Sequence, residues 1–242
     1  MNITNKTVLV TGGGSGIGLE IAKLLSAKNN KVIITGRTSD KLQKAAAGLT
    51  NVTAIAADVT NAGDVKKLVA TINADFGGLD ILINNAGNAY VYNINANANA
   101  AEKALDEFNT NLFSVLSLTE QFLPALTASP EAAIVTVTSI LALTPRSTLP
   151  TYSASKAALH SYTQALRFEL AKTTKIKVFE LMPPLVNTDF SKDIGGENGI
   201  PPSQVADDLI NAFENDEYEI HVGNTAQIYS LSPVDAFNAI NQ

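Results

Sequence analysis

Thr7-Val8-Leu9-Val10-Thr11-Gly12-Gly13-Gly14-Ser15-Gly16-Ile17-Gly18 is the stretch on which the reading of this chain turns. A short, unbroken run of apolar and β-branched residues suits a strand buried on both faces. The amphipathic stretch from Ile17 to Lys28 that follows the glycines suits a helix. Glycines between the two let the backbone take positive φ and approach a ligand closely. The free N–H groups and dipole at a helix start attract negative charge, so a phosphate fits at this junction. The spacing is Gly12-x3-Gly16-x-Gly18, and no register of the stretch satisfies G-x-G-x-x-G. A flexible glycine turn is the plain alternative, but the strand and helix flanks favour the phosphate loop.

Outward from this junction the pattern repeats. Further strand-like runs lie at Lys31 to Thr35, Val52 to Ala57, Leu79 to Ile83, Ala132 to Thr138, Ile176 to Leu181 and Tyr218 to Val222. Helical stretches alternate with them at Ala62 to Phe76, Ala101 to Leu126, Tyr152 to Lys172 and Ser203 to Asn215, and Pro233 opens a terminal helix. Alternating strand and helix predicts an α/β fold: one doubly wound, Rossmann-like parallel sheet of about seven strands with helices on both faces. No linker divides residues 1–242. The polar segment Asp189 to Pro202, with Gly195, Gly196 and Gly199, reads as a surface loop that moves over a substrate.

Composition narrows the function. Of 242 residues 45% are hydrophobic and 17% charged, enough apolar content for a full core. With 17 Lys and Arg against 23 Asp and Glu the net charge is −6, and no basic stripe marks a nucleic-acid or membrane surface. There is no Cys, and His160 and His221 lie far apart in sequence, so no metal site is expected. The opening Met1-Asn-Ile-Thr-Asn-Lys6 lacks the apolar region of a signal peptide, and no run approaches membrane-spanning length. A cytoplasmic location is the expectation.

Candidate site residues gather at the predicted C-terminal strand ends, where ligands of open parallel sheets bind. Arg37 ends the second strand at the place where an NAD-selective fold carries an acid; its guanidinium suits the 2′-phosphate of NADP, or it is an ordinary solvated arginine. Asp58, followed by Val59, ends the third strand. Its carboxylate can accept from an adenine amino group, or the segment starts the next helix with a nearby polar residue as N-cap. Tyr152 and Lys156, one helical turn apart, share a face, and a neighbouring ammonium lowers a phenol's pKa from about 10 toward a useful range. Ser139 ends the fifth strand and can hold a carbonyl oxygen. Asn111 stands in the helical stripe Ala104, Phe108, Asn111, Val115, Leu118, Phe122, where a buried amide needs a partner.

Together these residues resemble the short-chain dehydrogenase/reductase family. The resemblance runs from the glycine loop almost to the C-terminus and rests on Thr11-Gly12-x3-Gly16-x-Gly18, Asn84-Asn85-Ala86-Gly87, Asn111, Ser139 and Tyr152-x3-Lys156. It implies NADP, with NAD less favoured, as cofactor, bound by Gly12, Ser15, Gly16, Ile17, Gly18, Arg37, Asp58, Val59, Asn85, Tyr152, Lys156, Val186 and Thr188. It also implies that Tyr152 is the general acid/base, supported by Ser139, Lys156 and Asn111, in an enzyme that interconverts a carbonyl and an alcohol as a homodimer or homotetramer. Where the family usually shows Pro-Gly-x-Val-x-Thr the chain has Pro183-Pro184-Leu185-Val186-Asn187-Thr188, similar to a bacterial oxidoreductase branch. The competing readings are an NADP(H)-sensing binding module and a methyltransferase-like nucleotide fold; neither explains a complete Tyr, Lys and Ser set.

Overall fold

A computed structural model describes residues 1–242. Its strands are β1 (Thr7–Thr11), β2 (Lys31–Gly36), β3 (Val52–Ala56), β4 (Ile81–Asn84), β5 (Ala133–Val137), β6 (Lys177–Met182) and β7 (Glu219–His221). They form one sheet in the order β3-β2-β1-β4-β5-β6-β7, every pair parallel. The helices are α1 (Gly16–Ala27), α2 (Ser39–Ala46), α3 (Ala62–Phe76), α4 (Ala100–Phe108), α5 (Ser114–Ala128), α6 (Pro150–Thr173), α7 (Pro202–Asn215), α8 (Thr225–Tyr229) and α9 (Pro233–Asn241). No helix is long and apolar enough to cross a membrane.

Successive strand residues point to opposite faces, and the apolar runs fill a core on each. Val8, Val10, Val32, Ile34 and Ile83 pack against Ile21 and Leu25 of α1 and Leu209 and Phe213 of α7. Leu9, Ile33, Leu82 and Ile134 pack on the other side against Leu68 and Ile72 of α3 and Leu118 and Phe122 of α5. The chain builds β1 to β3 in one direction and β4 to β7 in the other, so a crevice opens beyond the ends of β1 and β4.

A tight clamp shapes that crevice. Thr11 Oγ1 accepts from the Asn85 and Ala86 N–H groups at 2.9 and 3.0 Å, and Asn85 Nδ2 donates to Thr11 O at 2.8 Å and Gly12 O at 3.3 Å. Gly12 takes φ +64°, and a Cβ on it would come within 2.9 Å of Asn85 Nδ2. The Asn85-Ala86 segment at the end of β4 therefore fixes the first turn of the glycine loop.

The structure departs from the sequence reading in several places. β3 lies at the sheet edge and is only half buried, not buried on both faces. Helix α2 is unanticipated because Leu42 is its one buried residue, leaving no apolar period to read. The stretch expected as one helix from Ala101 to Leu126 is interrupted by a π turn at Asn109–Phe113. The segment after Asp189 is more ordered than a plain loop: it holds 3-10 turns at Asp189–Ile194 and Gly196–Asn198 and buries Ser191 and Gly196.

Gly18 is held so closely that an added Cβ would lie 2.5 Å from Asn85 Nδ2 and 2.7 Å from Gly12 O. Gly18→Ala is expected to cost about 1–3 kcal/mol through overpacking, a fall of several degrees in Tm by thermal denaturation. An unchanged Tm would show that the clamp relaxes freely.

Candidate active site

Pro150 supplies a preset φ at the first turn of α6. From there Tyr152, Lys156, His160, Thr163 and Arg167 follow at intervals of four, four, three and four, one polar stripe along the helix. The sheet beneath is polar at matching points. Thr163 Oγ1 meets Thr136 Oγ1 at 2.8 Å, and His160 Nδ1 lies 2.8 and 3.0 Å from the carboxylate oxygens of Glu180. Thr138 Oγ1 donates to Glu180 Oε1 at 2.7 Å, and Arg167 Nε donates to Val178 O at 2.9 Å. Lys156 Nζ donates to Val137 O at 2.7 Å, its ammonium 5.7 Å from the centre of the Tyr152 ring.

Ser139 sits immediately beyond β5 in extended backbone, its Oγ accepting from Leu141 N at 3.1 Å. The same hydroxyl lies near enough to the Tyr152 phenol to favour its ionised form. Ser139, Tyr152 and Lys156 are all buried and line a cavity of about 930 Å³. That cavity continues past Val186 and Thr188 to Asn85, Gly12, Ser15, Gly16 and Ile17. Gly12 and Ser15 also border a second cavity of about 230 Å³, lined by Arg37, Asp58 and Val59.

Two sequence-predicted residues line neither space. Gly18 is buried against Gly12 and Asn85, where it serves packing. Asn111 Oδ1 accepts from Asn88 N at 2.8 Å, while Nδ2 donates to Asn88 O at 2.9 Å and Ser155 Oγ at 2.8 Å. The amide is satisfied by the chain itself. Gly87 separates it from Lys156: a Cβ there would lie 3.4 Å from Asn111 Oδ1 and 3.9 Å from Lys156 Nζ.

Several observations fit an anionic dinucleotide. Ser15, the N-cap of α1, makes no side-chain cap bond, and the first turn holds no acid, so the leading N–H groups face the cavity without a protein acceptor. Lys41 joins exposed Arg37 around the smaller cavity. Asp58 Oδ1 is engaged by Thr60 N and Oγ1 at 2.9 and 2.7 Å, which leaves its second oxygen for a ligand, and Asn61, not Asp58, caps α3.

Residues 6–199 match the short chain dehydrogenase family. This chain is a short-chain dehydrogenase/reductase. It is 38% identical over 200 residues to an uncharacterized oxidoreductase, DltE, of Bacillus subtilis, covering 83% of this chain and 79% of that one. An uncharacterized oxidoreductase of Staphylococcus aureus is 36% identical over 192 residues, 77% of this chain and 80% of its own. Among solved structures, a short chain dehydrogenase from Burkholderia cenocepacia in complex with NADP superimposes with a TM-score of 0.83 at 28% identity, covering 94% and 92% of the two chains. L-Sorbose reductase from Gluconobacter frateurii, complexed with NADPH and L-sorbose, gives 0.79 at 28% identity, covering 88% and 90%.

The electrostatics of this dehydrogenase correct one expectation. Burial pushes the Tyr152 phenol up to about 12; the nearby Ser139 hydroxyl opposes the rise and the Glu107 charge adds to it. Lys156 does not offset the rise, because an amine held near 8 has lost its charge before a phenol held near 12 ionises. Burial likewise pulls Lys156 down to about 8, against the opposing charge of Glu180. At neutral pH the site therefore holds a neutral phenol beside a mostly protonated lysine.

Glu107, Glu180 and Lys41 escaped the sequence reading. Glu107 Oε1 accepts from Tyr90 N at 2.8 Å, one helical turn before Asn111, so the two side chains grip alternate N–H groups of Asn88 to Tyr90. A signal for Glu180 existed: a lone carboxylate inside Val178-Phe179-Glu180-Leu181, an otherwise apolar buried run, requires a partner. Lys41 stands on α2, the helix without a readable period. In Glu180→Gln the isosteric amide keeps a bond to Thr138 but loses the charge, so the Lys156 pKa should fall below about 8. Nitrogen-15 NMR titration of the lysine ammonium groups measures it, and an unmoved Lys156 would contradict the assigned role.

Proposed function

We propose that this oxidoreductase interconverts a carbonyl and an alcohol using NADP(H), with Tyr152 as general acid/base. The observation that carries the reading is the meeting of Tyr152, Ser139 and Lys156 on one cavity that runs unbroken to the glycine loop. The nicotinamide, when bound, supplies or accepts the hydride. Ser139 Oγ and Tyr152 OH converge on the carbonyl oxygen and hydrogen-bond to it. Burial keeps the proton on Tyr152 until that oxygen gains negative charge, whereupon the phenol hands it over. Lys156, Val186 and Thr188 would hold the nicotinamide half, and Gly12, Ser15, Gly16 and Ile17 the pyrophosphate. Asn85 and Gly18 support them from behind, and Asn111, which holds the Asn88 backbone, would help order a water that links Lys156 to solvent. Tyr152→Phe is expected to lower turnover about 10²–10⁴-fold while cofactor affinity is nearly retained; full activity in a reductase assay would exclude the role.

Arg37 and Lys41 favour NADP, since two cations border the smaller cavity and the second strand ends without an acid. Calorimetry should find NADPH bound more tightly than NADH and the preference lost in Arg37→Ala; equal affinities in the wild type would refute it.

The segment from Asp189 to Pro202 would act as a substrate lid. The Phe190 ring lies 6.1 Å from the Tyr152 ring, and both ends of the segment are tied by Asn187 N to Ile200 O at 2.8 Å and Ile200 N to Leu185 O at 3.0 Å. Closure would exclude water from the hydride path. Hydrogen exchange across 189–200 should slow when NADP and substrate are both bound, and unchanged protection would rule out a lid. Homo-oligomerisation through α6 is supported by its outer face, where Ala154, Ala157, Ser161 and Phe168 are exposed.

A further inference from the structure

We propose that the substrate carries an anionic group, a carboxylate foremost, and that Arg146 binds it at the wall of the cavity that Ser139 and Tyr152 also line. The proposal names the substrate class of the hydride-transfer site and rests on that reading. Arg146 lies in the segment between Ser139 and Tyr152, and the peptide groups around it are tied down. Its N–H donates to Ser153 Oγ at 3.2 Å and its carbonyl accepts from Leu149 N at 3.0 Å. On either side, Asn241 of α9 donates to Pro145 O at 2.9 Å and accepts from Ser147 N at 2.7 Å. Two helices thus hold the Arg146 backbone in place beside the cavity.

The side chain is treated differently. Arg146 is half-buried and lines the same cavity as Ser139 and Tyr152, yet its guanidinium makes no hydrogen bond within the protein and has no carboxylate within 4.0 Å. Arg167 shows the contrast, with its guanidinium fully engaged by Val178 O, Glu219 and Tyr218 O. A planar fork of five donors at the wall of this pocket matches a carboxylate, which it can bind through two parallel hydrogen bonds.

Two of the other charges bordering this cavity are engaged elsewhere. Lys156 is turned to Val137 O, and Asp189 lies 3.8 Å from Lys41. Asp193, exposed on the lid segment, is paired with no cation and is the one competitor for Arg146. Leu149, Ile194 and Ile240 give the remaining wall an apolar character. The chemistry that fits is a carbonyl compound with an apolar body ending in a carboxylate.

A matched pair of probes tests this: 4-formylbenzoate and 4-methylbenzaldehyde differ in charge at one end of the same ring. Calorimetric titration into enzyme saturated with NADP⁺, where reduction cannot proceed, reads binding alone. The benzoate should bind at least about tenfold more tightly than the methyl compound. That ratio should fall to about one in Arg146→Met and take an intermediate value in Arg146→Lys, a charge-selected rescue that loss of packing would not produce. No measurable binding of 4-formylbenzoate, a ratio near one in the wild type, or a ratio that survives Arg146→Met would overturn the proposal; a guanidinium reserved for Asp193 predicts the second of these. NADPH oxidation with both probes is followed in parallel. A binding ratio that holds without any turnover counts against hydride transfer and leaves the anion site standing.

Discussion

Glu180 is a carboxylate with no exposed surface on the sixth strand of a parallel sheet, and a charge there persists only if it is paired. Thr138 and His160 pair it through hydrogen bonds, and Arg167 approaches to 4.0 Å. Thr138 is the residue after Val137, whose carbonyl takes the Lys156 ammonium. The long helix α6 accordingly rests on the sheet through a polar seam, joined by apolar contacts at Leu166 and Leu170 toward its far end. Slip the helix by one residue and every member of the seam loses its partner. The register that places Tyr152 over Ser139 is thus set by bonds made up to four turns further along.

The cofactor end of the cavity obeys a different constraint, one of close approach. Thr11, Gly12 and Asn85 join the ends of β1 and β4 so tightly that side chains are excluded at Gly12 and Gly18. What remains exposed is backbone N–H at the start of α1 and two cations, Arg37 and Lys41, on the neighbouring rim. One half of the crevice is therefore built to receive negative charge. The other buries a phenol and an ammonium, and its outer wall carries Arg146.

The fold was legible because most strands are buried on both faces, which writes them into the sequence as unbroken apolar runs. Those runs gave all seven strands, with β3 misjudged only in being an edge. Site residues that announce themselves by motif, Ser139, Tyr152, Lys156 and the glycines, were legible too and do line one cavity, Gly18 excepted. What stayed hidden depends on three-dimensional pairing. The π turn at Asn109–Phe113 leaves the helical stripe intact, so nothing in the spacing betrays it. Glu107 has the sequence context of any acid on a solvated helix, and only the Asn88 to Tyr90 segment folded over it sets it apart. Arg146 stands after a proline in a loop, and only the Asn241 clasp from the far end of the chain shows that the loop is fixed. The order in the Asp189 segment was masked by its glycines, because Ser191 stabilises it by turning inward to the carbonyls of Val186 and Thr188.

Burial, rather than the lysine, governs the resting Tyr152, and a phenol held near 12 serves as an acid toward a developing alkoxide but cannot act as a base at neutral pH. In the proposed reaction, service of Tyr152 as the base of alcohol oxidation therefore requires positive charge beside the ring beyond that of Lys156. Ultraviolet difference titration of wild type against Tyr152→Phe, without and with NADP⁺, isolates this one phenol from the chain's other tyrosines. The account predicts ionisation at about pH 12 in the free enzyme and at clearly lower pH with the oxidised cofactor bound. The same titration midpoint in both states would contradict it.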